Sequence, residues 1–429
     1  MRKLLPLLLA LLVLLPLAAR AERFQLGDRF RITTLSDPQL SPDGKSIAVV
    51  SSRPNVAENR HDASLVLVDV ADGAMHPLTA DRRGVSSPRW SPDGMRLAFL
   101  ANASSETGAK KQVWMLPMRG GDARRVTDAP RGVQQFAWSA DGATIAYETA
   151  DEAERDPKLD KHNRVFEIGD DDFLIDAAAM PSHVWLIASD GSGSARRLTS
   201  GPWSLPTARP PGPAPSPLTW SADGKTIAVT RLANPHSGDT DQANVLMVDV
   251  ATGTTRALTS RTSNESQPLF SPDGSKIAYW YPLGGMRANQ NEIWVASAQG
   301  GDPGVAATHA LDRDVYRAMW MPDNTTLLVG ARDRTGVSLW LQPPSGPARR
   351  LDLGDVNPTA AYWVDASVGR DGAIAFTAST PDRPRELYYL ASADAKPRRL
   401  TDVNHDVAAR ELGRTERVTW TNEGFSEDG

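Results

Sequence analysis

The sequence predicts an all-β protein, a seven-bladed β-propeller of four-stranded antiparallel blades. Three observations carry this. A Ser-Pro-Asp-Gly tetrapeptide echoes seven times: whole at 41–44, 91–94 and 271–274, with one change at 139–142 and 221–224, and in weaker copies at 321–324 and 369–372. Its aspartates, Asp43 to Asp371, are spaced by 50, 48, 82, 50, 50 and 48 residues. Around each copy, large and small residues alternate as they do in strands. A period near fifty means one supersecondary unit repeated, and radial repetition of four-stranded sheets makes a propeller. A β-sandwich, the competing all-β arrangement, predicts no such period.

Each part of the unit has a physical reason. In residues 86–127 the first strand is 86–90, the second 96–100, the third 112–116 and the fourth 124–127. The Asp-Gly pair suits the positive φ of a tight hairpin, and proline belongs outside the ladder because it cannot donate to it. The residue before the turn is Trp90, Trp138, Trp220, Phe270 or Trp320, a ring that can fill the gap between stacked sheets. The second strand repeats large–small–large, as in Ile47-Ala48-Val49, Leu97-Ala98-Phe99 and Ile277-Ala278-Tyr279. Alternation puts alanine on one face, where the neighbouring blade is expected to come close. Arginines followed by Leu-Thr close several units, at 196–199 and 398–401 among others.

Residues 1–21 read as a secretory signal peptide: Arg2 and Lys3, an apolar run from Leu4 to Leu17, then Ala19-Arg20-Ala21. The run is shorter than the ~20 residues a spanning helix needs. The expectation is an exported protein, periplasmic or secreted, with no membrane partner once the signal is removed. Its loss takes three positive charges and no negative ones, so the net charge moves from −5 to −8. With no basic block, nucleic acid is not an expected partner. There is no cysteine, which excludes disulfides and thiolate metal sites. The expected organisation is a lead-in over 22–37, the propeller over 38–401 and a linker over 402–429.

The repeat breaks in its third unit. Trp185 stands 44 residues after Asp141, whereas Trp114 stands 21 after Asp93. The excess, 151–181, is acidic. A second, proline-rich excess falls within 200–217. Loops on a rigid scaffold are where function concentrates. The acidic segment reads either as a solvated excursion or as a carboxylate cluster that captures a cationic group such as a peptide amine. The amine-binding candidates are Glu148, Glu152, Glu154, Asp170, Asp171 and Asp172. Consecutive aspartates do not match the alternating ligands of a calcium loop, so no metal and no cofactor is expected.

The chain has no Gly-x-Ser-x-Gly elbow, no His-Glu-x-x-His and no phosphate loop. Its seven histidines are scattered without metal-ligand spacing. No catalytic residue is assigned.

The repeat with its closing Leu-Thr resembles the TolB-like propeller repeat, and also the propeller of the prolyl oligopeptidase family (dipeptidyl aminopeptidases and acylaminoacyl peptidases). Residues 169–174, 181–186 and 196–205, and the tail from Val418 through Trp420 and Gly424-Phe425 to Gly429, are similar to bacterial members of that family. The tail resembles the junction at which the propeller passes into an α/β-hydrolase domain. The resemblance implies a non-catalytic, substrate-gating propeller of an exported serine peptidase acting on short peptides, truncated before the hydrolase domain that would be its partner. The alternative is a free-standing periplasmic propeller that binds a protein partner.

Overall fold

The computed structural model describes residues 22–152, 178–207, 216–236, 239–343, 345–358, 363–422 and 425–428. Seven four-stranded antiparallel sheets follow one another, each with its strands in chain order. The inner strands are Thr34–Leu40, Ser86–Trp90, Gln135–Trp138, Thr219–Trp220, Ser266–Phe270, Val315–Trp320 and Ala366–Val368. The first of these takes in the last residues of the 22–37 lead-in. A separate hairpin, Thr419–Asn422 with Phe425–Asp428, follows the ring.

The tetrapeptide works as a small hydrogen-bonded knot. The Gly44 N–H donates to Ser41 O at 2.9 Å. The Ser41 hydroxyl donates to Asp43 Oδ1 at 2.6 Å and accepts from Ser46 N–H at 3.0 Å, while Asp43 Oδ1 also accepts from Lys45 N–H at 3.1 Å. The serine–aspartate bond recurs at Ser91, Ser139, Ser221 and Ser271. Positive φ falls on the glycine (71° at Gly44) and on Asn324 (59°), not on the aspartates. The aspartate is therefore an acceptor rather than a conformational device. Its serine partner is the main cause of the lowered pKa of Asp43, Asp93, Asp141 and Asp223.

Seven hydrophobic clusters sit at the seven blade interfaces, so the core is a ring of small cores rather than one large one. The alanines lie where blades meet. Ala48 packs on Leu97 and Phe99 of the second blade, and Ala375 on Ile47 and Val49 of the first. The sixth blade has Leu328 at this position, and the small residue moves two places along to Gly330. A Cβ there would stand 2.7 Å from Val364 Cγ2 of the seventh blade.

The tryptophans before the turns do more than fill space. Trp90 Nε1 donates to Gln39 O at 2.9 Å, Trp138 Nε1 to Arg89 O at 3.1 Å, and Trp320 Nε1 to Leu269 O at 3.0 Å. Each indole thus ties its blade to the inner strand of the preceding one. Trp220 Nε1 is buried with no partner among the described residues. Trp320→Phe is expected to cost about 1 kcal/mol in urea unfolding because it removes the donor to the part-buried Leu269 carbonyl. Trp220→Phe loses no such bond and is expected to cost less. Equal costs would deny the indole bond its role.

The closing threonines take the place of a missing ladder acceptor. Thr127, Thr199 and Thr401 hydroxyls accept from the N–H groups of Val113, Val184 and Leu387 on the third strands, at 2.9, 3.0 and 3.0 Å.

Among the described residues, ring closure involves no exchanged strand. Leu35, Ile47 and Val49 of the first blade pack on Ala373, Ala375 and Leu387 of the seventh. The buried Asn404 side chain clasps the backbone of Thr33 in both senses, accepting its N–H at 2.8 Å and donating to its carbonyl at 3.0 Å. Glu411 N–H donates to Glu22 O at 2.8 Å just outside this clasp.

Candidate functional site: the central channel

Every inner strand runs towards its Ser-Pro-Asp-Gly turn. The strand starts, the second-to-third connections and the passages between blades therefore share the opposite face. Both insertions leave from that face, and the chain enters and leaves the ring there. Inner strands of six blades, with Pro217 and Leu218 just before that of the fourth, line an axial cavity of about 620 Å³.

Four residues before each turn motif, the inner strands place Asp37, Ser87, Gln135, Pro217, Gln267, Arg317 and Asp365 at one level. The pairing with the second strand slips at this level in the first, second and fifth blades. There Asp37, Ser87 and Gln267 have φ of 49°, 54° and 55°. Such bulges re-aim side chains, and left-handed φ at non-glycine residues stores strain that clusters at functional sites.

One side of the channel is strongly charged. Arg89 Nη1 donates to Asp37 Oδ2 at 2.8 Å, linking the second blade to the first. Across the seam with the seventh blade stand Arg317 and Asp365. Arg317 is half-buried and lines the channel. This burial lowers its pKa to about 10, against the pull of Asp37 and Asp365. Burial, then Asp37, raises the pKa of Asp365, and burial lowers that of Arg385. The Arg317 guanidinium lies 4.4 Å from the Trp363 ring centroid, and the Trp363 and Trp280 rings are 6.0 Å apart.

The acidic candidates do not form one site among the described residues. Glu148 is fully buried at the seam of the third and fourth blades. Gln135 Nε2 donates to Glu148 Oε2 and to Ser216 O, both at 2.7 Å, and so bridges the two blades. Burial raises the Glu148 pKa to about 8, so its carboxyl is largely neutral at pH 7 and offers little counter-charge in this arrangement. Ser182 faces it outside bonding geometry, leaving Ser182 Oγ and Glu148 Oε1 unpaired. Glu152 is exposed past the end of the strand, so the two glutamates share no surface. Glu154, Asp170, Asp171 and Asp172 lie outside the described residues. Among the described residues no group of acidic or histidine side chains is placed to hold a metal ion.

Asp37, Arg89, Arg317, Asp365, Trp280 and Trp363 were not singled out by sequence. None of them lies in the turn tetrapeptide or at the aromatic position before it. The usable signal was their register: counting back four residues from each turn would have picked out Arg317, which lines the channel, with Asp37 and Asp365 at the same register.

The fold is a seven-bladed β-propeller with an axial channel, and the sequence relatives it resembles are named as peptidases. An acylaminoacyl peptidase in complex with a peptide chloromethyl ketone superposes with a TM-score of 0.71 at 18% identity, over 95% of this chain and 58% of that one. The β-propeller domain of the Trilobed protease from Pyrococcus furiosus, described as having an open velcro topology, gives 0.59 at 16% identity over 87% and 97%. By sequence the chain is homologous to dipeptidyl-peptidase 5 and to peptidase YuxL. It is 31% identical over 257 residues to dipeptidyl-peptidase 5 of Porphyromonas endodontalis, covering 56% of this chain and 36% of that protein. For the Porphyromonas gingivalis protein the figures are 24% over 405 residues, 88% and 56%. For peptidase YuxL of Bacillus subtilis they are 27% over 248 residues, 58% and 29%. The matched region thus spans between about a third and just over half of each relative. No family model matches the chain.

Proposed function

We propose that this chain is the substrate-admitting propeller of an exported serine peptidase that acts on short peptides, and that its working partner is an α/β-hydrolase domain. The observation that carries this is the kinship with dipeptidyl-peptidase 5 proteins, all longer than the matched region. The geometry supports it. The segments that lead into and out of the ring carry Leu26, Phe30, Val418 and Trp420, exposed by 73%, 56%, 58% and 45%. Exposed apolar side chains on those segments suit a docked domain. The propeller would then filter substrates by size, and the third-blade insertion would supply any further anchoring carboxylates.

The coding sequence beyond codon 429 tests this reading. A hydrolase domain with a Gly-x-Ser-x-Gly elbow, in frame or encoded next to it, is expected. Its absence would favour a free-standing, TolB-like propeller with a protein partner. Residues 22–429 alone are expected to give no turnover of aminoacyl-arylamides, and clear turnover would overturn the non-catalytic assignment. Export predicts a mature protein whose amino-terminal sequence begins at Glu22.

A further inference from the structure

The channel wall carries a cation with an open hydrogen-bonding surface. The other arginine lining the cavity is engaged: Arg89 bonds Asp37 and its own neighbour's carbonyl. Arg317 has five N–H donors, and among the described residues none is bonded to a protein acceptor. Its direct contact is the face of Trp363. The two nearby carboxylates do not fill this role. Asp37 is already taken, by Arg89 on one oxygen at 2.8 Å and by Gln39 on the other at 2.7 Å. Asp365 acts on Arg317 through space and has Arg385 beside it. Arg89, Arg317 and Arg385 against Asp37 and Asp365 leave one positive charge in surplus.

We propose that the channel holds a carboxylate-binding site centred on Arg317, with Trp280 and Trp363 as the wall for the adjoining apolar group, and that its ligand is a short peptide bearing a free carboxylate. A planar guanidinium can hold a carboxylate through two parallel bonds, and enclosure by protein strengthens such bonds over their worth in water. The indole of Trp363 backs the guanidinium, whose central carbon stands 4.4 Å from the ring centroid. Trp363 is itself anchored, because the next residue, Val364, is fully buried against the space left by Gly330. The word "peptide" rests on the reading of the channel given above. The carboxylate could be the chain terminus or an acidic side chain.

Isothermal titration of the whole chain tests the site with three probes: acetyl-Ala-Ala-Phe as the free acid, the same peptide as its carboxamide, and acetyl-Ala-Asp-Phe carboxamide. The free acid, the aspartyl amide, or both should bind at least tenfold more tightly than the plain amide, and which of them does so identifies the source of the carboxylate. Arg317→Gln should remove the preference with an unchanged far-ultraviolet dichroism spectrum, and Arg317→Lys should keep part of it. Binding of the acid should also alter tryptophan emission in the parent chain, and Trp363→Leu should weaken it. Equal binding of all three probes, no binding of any, or a preference that survives in folded Arg317→Gln overturns the site. Discovery that no hydrolase accompanies the chain would remove the peptidase reading and leave a measured carboxylate preference standing.

Discussion

Glu148→Gln is expected to make the protein more stable at pH 9 and to change it little at pH 5. The carboxyl is sealed between the third and fourth blades with one oxygen unpaired, and burial raises its pKa from 4.5 to about 8. Between those values the folded chain keeps a proton that the unfolded chain has released. Stability therefore falls as pH rises from the unfolded pKa to the folded one, and levels off above it. Each unit of difference is worth about 1.4 kcal/mol, so the wild type loses up to ~4–5 kcal/mol across this window through this one group. Glutamine has the same shape, carries no charge, still accepts from Gln135 and can donate towards Ser182. For a ring of this size the gain at pH 9 corresponds to roughly 5 °C in melting temperature. Thermal unfolding of both proteins at pH 5, 7 and 9 reads the difference directly. Parallel pH profiles would mean that Glu148 ionises normally and that the seam admits water.

Gly73→Ala is expected to open the ring. Gly73 sits at φ +78° in the outer hairpin of the first blade, and a Cβ there would overlap the carbonyl oxygen of Leu400 in the seventh. A backbone oxygen cannot turn aside as a side chain does. The left-handed conformation costs alanine about 1 kcal/mol and the overlap adds about 2 more. The same close approach recurs between Gly253 and Leu198 O, but Gly73 lies at the one seam that joins the two ends of the chain. With no strand shared across that seam, strain there has nothing covalent to resist it. A loss of about 3 kcal/mol in urea unfolding and faster proteolysis near residues 22–33 and 402–411 are the expected readouts. Gly108→Ala is the control, since its φ is +82° and no atom lies within 4 Å of the added carbon. Equal losses in the two variants would show that backbone conformation, not the blade contact, sets the cost.

Much of the ring was legible because each blade repeats the same local chemistry. The serine, aspartate and glycine of the turn bond one another within six residues, so their spacing survives from blade to blade. The alanines were legible as contact points because a second strand buried on both faces must leave room for its neighbour. The tryptophan was legible as filler but not as a donor, since its acceptor lies about fifty residues earlier in the chain. Glu148 was legible only as an acidic residue beside an insertion. Its burial depends on Ser216 and Gln135 closing over it from two different blades.

The sequence by itself determined the number of blades, the strands within them and where along the repeats the insertions fall, because those follow from periodicity and from bonds made a few residues apart. Tertiary structure alone decided how the ring closes and what its channel presents. Closure rests on Asn404 reaching Thr33 and on apolar packing between the first and last blades, contacts that no local pattern specifies. The charged wall forms because Asp37, Arg89, Arg317 and Asp365, scattered from one end of the chain to the other, are brought to one side of the axis only when the last blade meets the first.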